Sequence, residues 1–179
     1  AAMGDGSQFG AAFTYVRQSA PLGIAHAAGL CATFAGRDAF VLYLGDNVLV
    51  GGITAFVDAF RLSDAAASLI LKEVADPRAF GVAIVDGQRL VRVIEKPAEP
   101  PSNLAVIGVY AFRPPVFDVI TAQQPSARGE LEIADAINAG IAAFNLESEA
   151  EIENIDRVAA SIGKQAIGAI RINPDVDPK

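Results

Sequence analysis

The stretch that most constrains the fold of this chain is residues 39–47, with the sequence AFVLYLGDN. Residues 40–44 are an unbroken apolar run, and a Gly-Asp-Asn turn sequence follows directly. A short apolar run that ends at a turn is typical of a strand buried on both faces of a sheet. Ligands of open α/β sheets bind beyond the carboxyl ends of the strands, so Asp46 is a candidate ligand for a hard cation such as Mg²⁺. The alternative is a turn without chemistry.

Composition narrows the class of protein. With 179 residues, 52% hydrophobic and 20% charged, the chain can bury a sizeable core in one domain, or in one domain and part of a second. Its net charge of −7 argues against nucleic acid as a partner. The single cysteine, Cys31, excludes an internal disulfide. No apolar run is long enough for a membrane span, and the start has no secretion signal, so we expect a cytoplasmic protein.

The periodicity of the first half predicts alternating strands and helices, as in a doubly wound α/β fold with parallel pairing. The predicted elements are strand 13–17, helix 24–35, strand 40–44, helix 53–62 and strand 68–74. The second half predicts a hairpin that turns at Asp86-Gly87, because Asp-Gly between apolar runs is a strong hairpin signal. A buried strand (105–112) and helices at 116–121, 130–143 and 148–162 follow, with a last strand at 166–172.

Polar groups in the predicted loops are candidates for chemistry. The segment 18–23 precedes a helix N-terminus, where backbone N–H groups can meet a phosphate or a base edge. Lys96 and Arg128 could bind a sugar phosphate, since cationic side chains pair with phosphate oxygens. The alternatives are an ordinary surface pair for Glu95 and Lys96 and a solvated Arg128. His26, the only histidine, reads as a packed or surface residue, and Cys31 as part of the core.

Taken together, these motifs make the chain from about residue 4 to residue 137 resemble the sugar-phosphate nucleotidylyltransferases of the glucose-1-phosphate thymidylyltransferase type. The order and spacing of the matching segments carry the resemblance: GDGSQFG (4–10), YVRQ (15–18), PLGIAHA (21–27), LGDN (44–47), FGV (80–82), EKP (95–97), GVY (108–110) and RGELEI (128–133). The fold that the resemblance implies is a Rossmann-like three-layer nucleotidyltransferase fold with a mixed, mostly parallel sheet, truncated at its N-terminus.

The resemblance implies transfer of a nucleoside monophosphate from dTTP to glucose 1-phosphate, with release of pyrophosphate. By position, Asp46 would hold Mg²⁺, and Lys96 and Arg128 would bind the sugar phosphate. The remaining roles would be nucleobase binding by Gln18, Pro21 and Gly23, and sugar binding by Gly81, Glu95, Val106 and Tyr110. The sugar phosphate is already a nucleophile, so the site needs to align it and neutralise charge and needs no general base.

Two departures from the family pattern shape the expectation. The Gly-rich segment that cradles the triphosphate in the family has no match here, so we expect weak or absent turnover. Residues from about 138 to 179 instead resemble a strand–helix–strand piece of the barrel domain of diaminopimelate decarboxylase, a pyridoxal-phosphate enzyme. The alternatives are therefore a non-catalytic fragment or fusion that self-associates through exposed sheet surface, and, with less support, a piece of a pyridoxal-phosphate decarboxylase.

Overall fold

The structure is a computed structural model, and it describes residues 3–87, 89–140 and 171–172. After a short 3₁₀ turn at Ser7–Phe9, the helices are α1 (Ile24–Leu30), α2 (Ala32–Ala35), α3 (Thr54–Leu62), α4 (Val116–Ala122) and α5 (Ile133–Gly140). The strands are β1 (Phe40–Tyr43), β2 (Ala67–Glu73), β3 (Gly81–Asp86), β4 (Arg89–Glu95), β5 (Leu104–Phe112) and β6 (Arg171–Ile172). None of the described helices is long and apolar enough to cross a membrane.

Strand β5 is the centre of the sheet. The described strands follow the order β4-β3-β5-β2-β6, and β1 also pairs with β5. β2 runs along the whole of one edge of β5. The other edge is shared: β1 pairs with its second half, from Phe40 opposite Phe112, and β3 pairs at Val82 opposite Ala105. One strand therefore holds both β1, which leads to Asp46, and the β3–β4 hairpin.

The sheet is mixed, as expected, but the prediction that it is mostly parallel is wrong for the described strands. All of their pairings are antiparallel except that of β2 with β6. The prediction took neighbours in sequence as neighbours in the sheet, whereas β5 enters from later in the chain and lies between β1 and β2. β1, β2 and β3 all run antiparallel to β5, so they run in the same direction as one another although they do not pair with each other.

Helices cover both faces of the sheet, which gives the three layers that the sequence predicts. Alternate residues of a strand point to opposite faces. Tyr110 and Phe112 of β5 accordingly pack in a core with α1, α4 and α5. Val109 and Ala111 pack in a second core with Phe56 and Phe60 of α3.

Several predicted elements differ from the structure. Residues 13–17 form no strand, so the parallel pairing predicted for strands 13–17 and 40–44 is absent. Their alternating pattern has no strand partner among the described residues, and the segment is held instead by the Phe13 N–H on Asp5 O (2.7 Å) and the Tyr15 hydroxyl on Gly4 O (2.6 Å). The predicted helix 24–35 is interrupted at Cys31, whose ψ of 2° leaves the helical range.

Within the described residues, the other strands and helices match their predicted positions within a few residues, including the hairpin at Asp86-Gly87. Residues 141–143 of the predicted helix 130–143 and residues 166–170 of the last predicted strand lie outside the described residues. The strand predicted to be buried on both faces, β1, is only partly buried, and Tyr43 is exposed. β1 pairs on one edge only among the described residues. The predicted helix 148–162 lies outside the described residues, as does most of the segment that resembles the decarboxylase.

Candidate active site

A cleft of about 400 Å³ lies against β5, where the loop after β1 meets the end of β4. Most of the site residues that the sequence predicts line it: Asp46, Gly81, Glu95, Lys96, Val106 and Tyr110. The other walls come from residues such as Phe80, Gly108 and Ile133. Four of the predicted site residues lie outside the lining: Gln18, Pro21, Gly23 and Arg128. Of these, Arg128 contacts Glu95, and Gly23 directly precedes Ile24, which lines the cleft.

The loop that carries Asp46 is fixed to β5 at Gly108. The Leu44 N–H donates to Gly108 O (2.9 Å), and the Asn47 N–H donates back to Leu44 O (3.1 Å). Gly108 has a φ of +68°, and a Cβ atom there would lie 2.8 Å from both Asn47 Nδ2 and a Leu44 methyl. Glycine is therefore needed for its conformation and for the close approach of the loop. These contacts fix the position of the loop against β5.

The Asp46 carboxylate is exposed on this loop, and its Oδ1 accepts a hydrogen bond from Asn47 Nδ2 (2.9 Å). Mg²⁺ is usually held by one or two carboxylates together with substrate phosphates and water. One hard oxygen ligand at the cleft fits that mode. A metal cage made by the protein alone does not fit, because no group of three or more His, Cys, Asp or Glu residues that could hold a metal occurs among the described residues.

Glu95 and Lys96 reach the cleft through the backbone at the end of β4. Lys96 has a φ of +43°, and it is the one described residue other than glycine with a positive φ. Its N–H donates to Phe80 O (3.0 Å), which fixes the turn. A positive φ at a non-glycine residue is uncommon and strained, and such residues are enriched at functional sites. The chain thus bends at Lys96, directly before Pro97, and the Lys96 Nζ lies 4.0 Å from Glu95 Oε1.

Gly81 lies opposite Glu95 in the β3–β4 pairing. A Cβ atom at Gly81 would lie 3.2 Å from Glu95 Oε2 and 3.2 Å from a Val93 methyl, which is tighter than ordinary van der Waals contact. The absent side chain leaves the Glu95 carboxylate accessible from the cleft. This is consistent with the predicted role of both residues in sugar binding, which stays a prediction.

Arg128 is held by carboxylates. Its Nη2 lies 3.5 Å from Glu95 Oε1 and donates to Glu132 Oε1 at 2.8 Å, and its Nε donates to the same oxygen at 3.0 Å. The Ser126 hydroxyl also donates to Glu132 Oε1 (2.8 Å). Glu132 is buried and was not among the predicted site residues, although the (i, i+4) spacing to Arg128 could have indicated it.

The electrostatics of the cleft follow from these contacts. Burial and then the nearby Glu132 raise the pKa of Glu95, while Arg128 and Lys96 lower it by less. The hydrogen bond with Glu132 raises the pKa of Arg128, so this side chain is permanently cationic. Burial raises the pKa of Tyr110, which keeps its hydroxyl protonated. The cleft therefore contains the Lys96 side chain and the Glu95 carboxylate, whose pKa is raised, and Arg128 lies beside them.

The loop of Gln18 and Gly23 lies beside this network. The Leu131 N–H donates to Leu22 O (2.8 Å), and the Ala25 N–H donates to Leu131 O (3.1 Å). A Cβ atom at Gly23 would overlap the Leu131 backbone. The loop predicted to bind the base is thus joined to the segment that carries Arg128 and Glu132, and Ile24, next along the chain, lines the cleft. Pro21 is exposed.

The fold and the site define an α/β protein with a cleft formed by loops at the strand ends. A family model described as nucleotidyl transferase matches residues 1–154, and the chain belongs to this family. It is 53% identical over 136 residues to the low-salt glycan biosynthesis nucleotidyltransferase Agl11 of Haloferax volcanii, covering 75% of this chain and 38% of the relative. It is 50% identical over 138 residues to glucose-1-phosphate thymidylyltransferase of Streptomyces antibioticus, covering 76% and 39%.

Among solved structures, a chain described as a glucose-1-phosphate thymidylyltransferase from Bacillus anthracis, in complex with a sucrose, superposes with a TM-score of 0.72. It is 34% identical in sequence, and the alignment covers 96% of this chain and 61% of that one. The predicted Rossmann-like nucleotidyltransferase fold is thereby confirmed. The chain spans less than two-fifths of the length of the two curated relatives.

Proposed function

We propose that this chain carries the sugar-phosphate part of a nucleotidyltransferase site, for transfer of a nucleoside monophosphate from dTTP to glucose 1-phosphate. The observation that supports the proposal most is the meeting of Asp46 with Glu95 and Lys96 in one cleft, although they come from loops far apart in the sequence. A carboxylate for a cation, a cation for a phosphate and a carboxylate for sugar hydroxyls are the groups that the reaction requires.

The reaction joins a phosphate oxygen of the sugar phosphate to the α-phosphorus of the nucleotide. The bond from that phosphorus to the bridging oxygen breaks, and pyrophosphate leaves with the electron pair. The attacking oxygen is already anionic, so no residue has to remove a proton from it. Lys96 would neutralise the sugar phosphate, and Arg128 could do so after exchanging one of its carboxylate partners. Mg²⁺ at Asp46 would supply further neutralisation of the triphosphate charge.

The first test is binding of glucose 1-phosphate by calorimetry to the whole chain and to two variants, Lys96→Met and Lys72→Met. Both changes remove one lysine charge, and Lys72 is exposed on β2, away from the cleft. Loss of one charge-assisted contact of about 1.5 to 3 kcal/mol weakens binding by roughly 10-fold to 150-fold. We expect that loss for Lys96→Met and unchanged affinity for Lys72→Met. Equal affinities in both variants would show that Lys96 does not bind the sugar phosphate.

The second test is pyrophosphate release with dTTP, glucose 1-phosphate and Mg²⁺. The sequence predicts weak or absent turnover, and a rate typical of the family would contradict that prediction. If the chain binds neither substrate, while light scattering reports a mass that rises with concentration, the self-associating fragment is the better description.

A further inference from the structure

Gln18 and His26 make a contact outside the lining of the cleft. Gln18 Nε2 lies 2.8 Å from His26 Nδ1 and 3.2 Å from Gly23 O. A backbone carbonyl oxygen only accepts hydrogen bonds, so the Gln18 atom that faces Gly23 O has to be the amide nitrogen. Gly23 itself is held against Leu131. The orientation of the Gln18 carboxamide is therefore fixed by its partners.

The same reasoning fixes the tautomer of His26. Because the Gln18 amide donates to it, Nδ1 has to accept, and in a neutral imidazole the proton then resides on Nε2. Both N–H groups of Gln18 are committed to the protein, one to Gly23 and one to His26. Its Oε1 receives no hydrogen bond from any residue that the structure describes. The Gln18 Oε1 can therefore accept a hydrogen bond from a ligand, whereas its two N–H groups are already bonded to the protein.

We propose that His26 is a positioning residue for nucleobase recognition: it holds Gln18 so that Oε1 is the group presented to the base. This inference rests on the proposed function. An acceptor in that place selects a pyrimidine with an N–H at position 3. Thymine and uracil have that N–H, whereas N3 of cytosine is itself an acceptor and would face Oε1 without a hydrogen bond. Among pyrimidine nucleotides, the class that this acceptor favours is therefore thymidine or uridine triphosphate.

A purely structural role for His26 makes a different prediction. His26 lies in the first turn of α1 between Ala25 and Ala27, and it is half-buried. If it served packing alone, its removal would lower stability and would affect all ligands alike. If it positions Gln18, its removal leaves the carboxamide held by Gly23 O alone and less firmly oriented, and only the nucleotide side of the site changes. The two roles are separable by measuring both substrates.

The experiment compares the whole chain with His26→Ala and His26→Asn. Alanine is the best helix former, so His26→Ala is suited to a helix of this composition. Asparagine carries an oxygen close to the position of Nδ1 and can accept from Gln18. Binding of dTTP, dCTP and glucose 1-phosphate is measured by calorimetry for all three proteins, and thermal unfolding is recorded for each.

We expect the unchanged chain to prefer dTTP to dCTP. In His26→Ala the preference should fall by about fivefold, the factor for one hydrogen bond of average strength. Its affinity for glucose 1-phosphate should stay the same, and His26→Asn should recover most of the preference. An undiminished preference in His26→Ala would overturn the positioning role, and so would an equal loss for dTTP and glucose 1-phosphate.

The proposed function can fail separately from this inference. If the unchanged chain binds neither dTTP nor glucose 1-phosphate, both proposals fall. If it binds both but does not distinguish dTTP from dCTP, or if it distinguishes them equally well without His26, only the positioning role falls.

Discussion

The junction between Gly23 and Leu131 gives the sharpest stability prediction, because the structure offers a matched control. Gly23 has a φ of +101°, and a Cβ atom on it would overlap the backbone nitrogen and oxygen of Leu131. Gly51 has a similar φ of +94°, but a Cβ atom there would meet nothing within 4 Å. Gly23→Ala and Gly51→Ala therefore both place an alanine at positive φ, and only Gly23→Ala adds a steric clash.

The magnitude follows from the contacts. A non-glycine residue at positive φ costs about 1 to 2 kcal/mol, and Gly51→Ala should lose that much. In Gly23→Ala the Leu131 backbone also has to move. Its two hydrogen bonds, to Leu22 O at 2.8 Å and from the Ala25 N–H at 3.1 Å, are then weakened or lost. At about 1 kcal/mol each, they bring the expected loss for Gly23→Ala to about 3 to 4 kcal/mol.

The assay is urea unfolding followed by circular dichroism, with the free energy of unfolding extrapolated to water for the unchanged chain and both variants. A difference of about 2 kcal/mol between the variants is expected. Equal losses within about 0.5 kcal/mol would refute the reasoning, since the Leu131 backbone would then tolerate the methyl group.

Two further predictions concern the pH dependence of stability and the edge of β4. The raised pKa of Glu95 means that its contribution to stability is complete below its ordinary value of 4.5 and is lost as the pH rises through the folded-state value. Glu95→Gln should therefore raise the melting temperature at neutral pH, and the difference should vanish in acid; a lower melting temperature at neutral pH would contradict this. The Asn138 side chain donates a hydrogen bond to Val93 O (2.7 Å) and accepts one from the Val93 N–H (2.9 Å). Asn138→Ala should therefore lower the free energy of unfolding, measured in urea, by about 1 to 3 kcal/mol. The control Asn103→Ala, at an exposed position, should lower it little.

Local signals predicted much of this fold and the centre of its site. The apolar run before Asp46 became β1, and the Asp-Gly pair became a hairpin turn, since both depend on a few adjacent residues. The motif with Glu95 and Lys96 lines the cleft as expected. These features follow from strand burial, turn geometry and family spacing, all of which can be read along the chain.

Features that depend on distant partners were not predictable in the same way. No local pattern indicates that β5 lies between β1 and β2, so the direction of the pairings was wrong. The contact of Arg128 with Glu95 and the contact of Gln18 with His26 require the folded backbone, because the side chains meet only after the loops have docked. An alternating pattern such as that of residues 13–17 becomes a strand only if an edge is available to pair with it.

The position of β5 also has a consequence for the order in which the molecule assembles. The β3–β4 hairpin closes over a short loop, and its formation costs little chain entropy. The pairing of Phe40 with Phe112, and of Leu44 with Gly108, joins residues separated by more than a third of the chain. Such contacts form slowly. During synthesis Asp46 leaves the ribosome before Gly108, so the loop that carries Asp46 cannot be fixed to β5 until Gly108 has been made.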